Sequence, residues 1–481
     1  LVRRCRDRQA LEEGRRVHEQ IRKNGFEGET FLGNLLVEMY AKCGSWEDAR
    51  QAFEKIEHKN AFSFGTNQPV LGTAIVTMYG KSGNLVEASQ VFDRLSSRNI
   101  ITWNTLMGAY AQYGHPDEVL RLQKRMELEG VKQNRVTYLS LLDACSELES
   151  LTDGQALHAR ITATGYVGDA VLDSAVVNMY TKCKSLERAR RVFDRMQLKT
   201  EVTWTTLISA YAQQGQDLEN AREVFDRMTT RTVVTWNTLL TAYGQHGHSE
   251  EAIRLYQRME PDGVEPDEIT YVTIVGACGD MQSLAEGRPV HDRIVRAGLE
   301  NGALVSTALV SMYGKCGSLD EARKIFDGSD LSNLVSWNAM IVAYAQNGEG
   351  KQGLELYELM NLGGVEPNGV TYTGVLFACA HAGLLDEAWK QFVSLKTDRG
   401  IEWEDEHFSC MTDMLGRLGR LEEAEEFLKR FPQAGGVPWL SLLNSCQMHG
   451  DLERGKRVSQ EAMKRNPETS SSYVMLSNIY A

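Results

Sequence analysis

Between residues 100 and 134 the apolar positions fall at a helical spacing. Trp103, Leu106, Met107 and Tyr110 stand at i, i+3, i+4 and i+7, the pattern of one buried helix face. Gly114 then breaks the pattern, as Gly44, Gly83, Gly247, Gly317 and Gly348 do elsewhere. A second helical stretch follows each break, with Ala and an aromatic residue four places apart, as in Ala49–Phe53 and Ala322–Phe326. Many longer stretches close on Gly130, Gly165, Gly263, Gly298 or Gly364, where a helix C-cap belongs. The pattern predicts helical hairpins and an all-α chain.

The hairpins repeat. VVTWNTLLTAYGQHGHSEEAIRLYQRMEPDGVEPD (233–267) aligns without a gap with LVSWNAMIVAYAQNGEGKQGLELYELMNLGGVEPN (334–368), 35 residues each. Complete units run 30–60, 69–99, 100–134, 135–169, 170–200, 201–232, 233–267, 268–302, 303–333, 334–368, 369–404 and about 405–435, with a partial unit in 1–29. Lengths of 35, 35 and 31 recur in order in 100–200 and 233–333. A repeat of this period predicts an α-solenoid superhelix of stacked helix–turn–helix units, in which each unit touches its neighbours and the array offers a long concave surface. Residues 61–68 (AFSFGTNQ) start like a new unit and stop, as a deletion or a gene-model error would leave them. Residues 436–467 read as a divergent helical pair and 468–481 as the start of another. The chain opens on Leu1 and ends within a unit at Ala481, so it reads as a piece of a longer protein, with targeting information outside it.

One helix face does not fit packing alone. At about 100° per residue, the fourth, seventh, eighth and eleventh residues of each first helix face the core. The second, fifth, ninth and thirteenth lie nearly opposite, where polar residues are expected. Yet the second residue is apolar in eleven consecutive units, among them Val70, Ile101, Val234, Leu304, Val335 and Val370. The fifth is a small hydrogen-bonding residue in the 31-residue and Trp-bearing units: Asn34, Thr73, Asn104, Ser174, Thr205, Asn237, Thr307 and Asn338. In two intervening units it is apolar, Leu139 and Val272. Lys42, Lys81, Lys182 and Lys315 occupy the thirteenth place in 31-residue units. Apolar contact, a hydrogen-bonding tip and a cation are what a single-stranded nucleic acid needs at its base planes, base edges and phosphates. Packing between hairpins is the alternative account of the second residue.

Charge and cysteine content narrow the choice. The formal net charge is −13, which counts against nonspecific nucleic-acid binding but leaves room for a locally basic groove. No apolar run has the length of a membrane span. Seven of the nine cysteines are repeat-equivalent: Cys5, Cys145, Cys278 and Cys379 at one place, Cys43, Cys183 and Cys316 at another. With no CxxC pair, they read as small core residues in a reducing compartment, with no zinc and no disulfide.

At these residues the chain resembles the pentatricopeptide repeat family, over essentially its whole length. VTWNTLLTAYGQHG and VSWNAMIVAYAQNG are similar to the family motif, and the 35/35/31 alternation is similar to the P, L and S variants of plant organelle RNA-editing factors. MTDMLGRLGRLEEAEEFL, VPWLSLLNSCQMHGDLERGK and SSYVMLSNIYA resemble the closing short unit and E region of such proteins, dividing the chain into repeats at 1–435 and E-type helices at 436–481. The resemblance implies single-stranded RNA as the partner, one base per unit, read by the fifth and last residues together. It then implies C for Asn34 with Asn60, A for Thr73 with Asn99, C for Asn104 with Asn134, U for Asn237 with Asp267, A for Thr307 with Asn333 and C for Asn338 with Asn368. Ser174 with Thr200 and Thr205 with Thr232 depart from the pattern and receive no base. The apolar second residues would flank the bases, and the four lysines would lie near phosphate. The resemblance also implies a mitochondrion or chloroplast, no cofactor, and a deaminase or other editing factor as a further partner through the E region. A tetratricopeptide-like protein scaffold is the alternative. It shares the Trp-x2-Leu…Tyr and Ala-x3-Phe spacing, and the net acidity suits a protein partner.

No catalytic motif survives alignment to the repeat. His248-Ser249-Glu250 resembles the H-x-E of zinc deaminases but is expected in an interhelix turn, with no later CxxC. Gly348–Gly353 (GEGKQG) matches G-x-G-x-x-G without a preceding strand. His18, His158 and His291 recur at one place and read as structural, and Glu402, Glu404, Asp405 and Glu406 as a solvated loop. These residues predict a binding protein without catalysis of its own.

Overall fold

A computed structural model of the chain describes residues 9–56, 69–95, 97–213, 218–329 and 333–465. The described residues hold 27 helices and no strand. They divide between Thr229 and Thr230 into two compact units, each a row of helical hairpins.

In the first compact unit the first helices of successive repeats are Thr30–Lys42, Pro69–Lys81, Ile100–Gln112, Arg135–Glu147, Ala170–Lys182 and Glu201–Gln213. In the second they are Val233–Gln245, Glu268–Asp280, Ala303–Lys315, Leu334–Gln346, Gly369–Ala382, Asp405–Arg417 and Gly436–Met448. Each starts on the first residue of its repeat, because the preceding residue is commonly an Asn or Asp that caps it. Asn99, Asn134, Asp169, Asp267, Asn333 and Asn368 all accept a hydrogen bond from a backbone N–H of the first turn. The difference between short and long repeats lies in the second helix. It has 10 residues in Leu186–Arg195 and Leu319–Gly328, but 13 in Pro116–Leu128 and Gly350–Leu362.

The core lies between hairpins as much as within them. Phe92 meets Trp103 edge to face at 4.7 Å, and Phe193 meets Trp204 at 4.6 Å. Phe326 and Trp337 repeat this contact at 4.9 Å. In each case the second helix of a short repeat docks on the first helix of the next, and such pairs add about 0.5–1.5 kcal/mol beyond their burial. Consecutive first helices also lie close: a Cβ on Gly80 would come 2.8 Å from Ala109 Cβ. Tyr110, expected in the buried stripe, is only half-buried, beside His115.

The turn between the two helices is left-handed. Gly317 has φ +76°, a conformation costly for residues with a Cβ. The glycine pattern was incomplete, however. Glu149, Lys184 and Gln282 take the same place with φ +48°, +56° and +52°. Among the described residues no helix is long and apolar enough to cross a membrane.

Candidate nucleic-acid interface

The last residue of a repeat has two tasks. As N-cap of the following helix, Asn134 accepts from Thr137 N at 3.0 Å through Oδ1. The same oxygen accepts from Nδ2 of Asn104, the fifth residue of its own repeat, at 3.0 Å. Asp267 likewise accepts from Thr270 N at 2.9 Å and from Asn237 Nδ2 at 2.8 Å. Asn368 accepts from Thr371 N at 3.0 Å, with Asn338 Nδ2 more distant at 3.4 Å. Helix capping therefore places the last residue, and the cap places the fifth residue beside it.

Hydroxyl residues at the fifth place reach a different partner. Thr73 bonds Thr102 across 2.8 Å, Ser174 bonds Thr203 across 2.8 Å, and Thr307 bonds Ser336 across 2.8 Å. All three partners are third residues of the following repeat. In those repeats Asn99 and Asn333 keep the capping bond, to Thr102 N and Val335 N, each at 3.0 Å.

The fifth residues lie low in the structure: Asn34, Asn237 and Asn338 are 4%, 8% and 8% exposed. The second residues stand proud of them. Ile101, Val234, Leu304, Val335 and Val370 are all more than half exposed. Asn60 lies outside the described residues, as do the side chains of Lys42 and Val70.

Charge at the thirteenth place is moderated by neighbours. Lys315 Nζ lies 2.7 Å from Asp280 of the preceding repeat. They border an open pocket of about 640 Å3 with Gly279, Gly317 and Asn347. Lys81 reaches Gln112 at 3.5 Å, beside a pocket of about 250 Å3 that Asn104 and Thr105 also line. Lys182 is exposed. Asp267 carries a second charge in this row. Burial alone would raise its pKa, but hydrogen bonds from Thr270 N, Asn237 and the Thr270 hydroxyl hold it below the ordinary 3.8.

The remaining sequence features have structural explanations. His248 is the N-cap of Ser249–Met259, so Ser249 and Glu250 belong to a helical first turn rather than to the interhelix turn expected of them. Among the described residues no three His, Cys, Asp or Glu side chains are grouped to hold a metal. Gly350 and Gly353 are buried in a helix that follows another helix, where a Cβ on Gly350 would strike the Ala378 carbonyl. His18, His158 and His291 each place Nδ1 2.9–3.0 Å from the hydroxyl of Tyr40, Tyr180 or Tyr313 in the next repeat. Glu402 to Glu406 is not simply a solvated loop. Glu404 caps Asp405–Arg417, and Asp405 Oδ1 accepts from Gly435 N at 2.6 Å. The eight described cysteines are free thiols, and burial pushes Cys145, Cys278 and Cys379 up to about 12.

Stacked helical hairpins whose first helices present an apolar second position, and in most repeats a hydrogen-bonding fifth position, define a helical-repeat protein. The repeats themselves match a known family. Residues 98–147, 231–280 and 332–381 match the PPR repeat family, and 34–60, 73–100, 174–199, 202–233, 305–328, 370–399 and 406–435 match the PPR repeat. The chain belongs to the pentatricopeptide repeat family. It is 34% identical over 484 residues to the chloroplastic pentatricopeptide repeat-containing protein CRR2 of Arabidopsis thaliana, covering 99% of this chain and 63% of that one. It is 30% identical over 473 residues to a mitochondrial pentatricopeptide repeat-containing protein of the same plant, covering 98% and 72%. The chain spans 58% and 63% of the length of two of the curated relatives it matches. The fold is that of maize PPR10, with TM-score 0.61 and 20% identity over 98% of this chain and 74% of that one. PPR10 in complex with an 18-nt psaJ RNA element matches with TM-score 0.51 and 18% identity, covering 98% and 80%.

Proposed function

We propose that this chain binds single-stranded RNA in a sequence-specific way. It reads one base per repeat at the repeats whose fifth and last residues pair as assigned above, and serves as the targeting arm of an organellar RNA-editing or RNA-processing factor. The carrying observation is the fifth–last pair where Asn is the fifth residue, whose shared hydrogen bonds leave one defined edge for a base. In Asn104–Asn134 the Oδ1 of Asn134 is taken by the cap and by Asn104, so its amide N–H groups are left to face N3 and O2 of cytosine. In Asn237–Asp267 the remaining atom is a carboxylate oxygen, which accepts the N3–H of uracil. The exposed second residues supply apolar walls on either side of each base, and Lys81, Lys182 and Lys315 lie on the phosphate side. The family membership supports RNA as the ligand, as does the RNA complex of PPR10.

Within the family, the length alternation supports the PLS subclass, with 436–481 as the start of an E region that recruits a deaminase or other editing protein. Chloroplastic and mitochondrial relatives support an organelle as the site of action. The chain itself supplies no chemistry in this reading.

The adjacent repeats 303–333 and 334–368 provide the test. With RNA running 5′ to 3′ along the chain, Thr307–Asn333 and Asn338–Asn368 should prefer A followed by C. Asn338→Thr should move the preference at the second nucleotide from pyrimidine to A, several-fold, since a hydrogen-bonding match carries about 1 kcal/mol. Binding is measured on RNAs differing only at that nucleotide. An equal loss for all four bases would show that Asn338 does not read.

A further inference from the structure

Five fifth residues, Thr73, Asn104, Ser174, Asn237 and Thr307, hydrogen-bond a hydroxyl that belongs to the next repeat. We infer that a third residue whose hydroxyl makes this contact is a positioning residue for the base read by the repeat before it. This rests on the base-reading proposal and extends it from two residues to three.

The contact recurs across the chain. Thr137 Oγ1 donates to Asn104 Oδ1 at 2.7 Å, and Thr270 Oγ1 to Asn237 Oδ1 at 2.6 Å. Thr102, Thr203 and Ser336 take the same place against the hydroxyls of Thr73, Ser174 and Thr307. These third residues are fully buried, none above 1% exposed, so they cannot touch RNA themselves.

The direction of the bond is set by the backbone. Asn134 N donates to Thr137 Oγ1 at 3.2 Å, and Asp267 N to Thr270 Oγ1 at 3.2 Å, the reciprocal half of a capping box. That bond occupies a lone pair on the hydroxyl and turns its proton towards the Asn oxygen. Asn134 Oδ1, at 3.0 Å, is the other acceptor within reach. An Asn side chain has oxygen and nitrogen ends of nearly equal size, so nothing steric opposes a flip. A donor fixed at Oδ1 holds the amide one way round and keeps Nδ2 towards the last residue and the base. Without it, the amide can present either a donor or an acceptor, and discrimination falls.

Residue types follow the same rule. Where the fifth residue is apolar, Leu139 and Val272, the third residue of the next repeat is also apolar, Leu172 and Val305. In sequence the exception is Asn34, with Leu71 at the third place of the next repeat; Asn338 follows the sequence rule with Thr371, but that hydroxyl bonds Asn368 Oδ1 at 3.0 Å and leaves Asn338 Oδ1 without a partner among the described residues. Both amide atoms of Asn34 are buried without a hydrogen-bond partner among the described residues.

The test uses the whole chain and a synthetic single-stranded RNA. It carries A, C, U, A and C opposite repeats 69–99, 100–134, 233–267, 303–333 and 334–368, with random bases elsewhere. Four versions differ only at the nucleotide facing repeat 100–134. Thr137→Val keeps the side-chain shape and removes the hydroxyl. It should reduce the preference for C at that nucleotide by about five-fold, with preferences at the other positions intact. Thr137→Ser should retain the preference. If Thr137→Val does not fold, Ser336→Ala removes a single oxygen and should reduce the preference for A opposite repeat 303–333. Undiminished preference in the folded variant, or an equal loss for all four RNAs, overturns the positioning role while base reading stands. A wild-type chain with no preference at any assigned nucleotide overturns base reading itself, and this inference with it.

Discussion

Asp267→Asn offers the sharpest exchange of one base for another. Three groups lie within hydrogen-bonding distance of Asp267 Oδ1: Asn237 Nδ2 at 2.8 Å and Thr270 N at 2.9 Å donate to it, and Thr270 Oγ1, whose proton is directed to Asn237 Oδ1, lies at 2.8 Å. An asparagine keeps all three on its own Oδ1, so the cap and the fifth residue stay in place. Only the outward atom changes, from an acceptor oxygen to an N–H donor. Uracil then loses an acceptor for its N3–H, and cytosine gains a donor for its N3. At about 1 kcal/mol for each hydrogen bond, the U-to-C preference should swing by about 2 kcal/mol, or roughly 30-fold. Loss of the negative charge at a helix N-terminus should cost about 0.3–1 kcal/mol of stability. It should also favour every RNA slightly, because one repulsion against phosphate disappears. The assay is equilibrium binding of wild type and variant to two RNAs that differ only in U or C opposite repeat 233–267. The ratio of the two affinities cancels the effects of charge and stability. A ratio unchanged by the substitution would refute the argument, whatever happens to the affinities themselves.

Two further outcomes follow from neighbouring contacts. Asp280→Asn releases Lys315 from its ion pair, so RNA of any sequence should bind more tightly and with a steeper salt dependence, and Lys315→Ala should do the reverse. Opposite salt trends, or effects confined to one nucleotide, would remove Lys315 from the phosphate path. Burial pushes the imidazole of His158 below its ordinary 6.5. The unfolded chain therefore takes up the proton first. The stability from the neutral ring is fully present above about 6.5 and is lost as pH falls towards the folded value. His158→Gln should flatten the decline in Tm between about pH 7 and 5.5; an equal decline in the variant would acquit this histidine.

The repeat frame was legible because each repeat states its start twice, once in the cap and once in the apolar stripe. Trp103 and Trp236 announce the core by size, and both are fully buried. The third residue was not legible as part of a site. Thr137 and Thr270 look like ordinary polar residues of a first turn, and their partners lie 33 residues earlier, in another repeat. Alignment of equivalent places compares a residue with its counterparts and never with its neighbour in space. The left-handed Glu149, Lys184 and Gln282 were missed for a different reason. Surrounding helices impose that conformation on residues with no preference for it, so composition carries no trace of it. The acidic run from Glu402 looked solvated because a capping carboxylate and a surface carboxylate are the same letter.

The capping bond has a consequence for how such a chain can change its target over time. Residues able to start a helix through a short side-chain oxygen are few: Asn, Asp, Ser and Thr. If the same residue also reads, any mutation there that abandons this set loosens a helix at about 1 kcal/mol as well as altering a base. The alphabet of recognition is bounded by the alphabet of helix initiation. New specificities are reached by steps within that small set, such as Asn to Asp, each of which leaves the scaffold standing while the message it selects is rewritten.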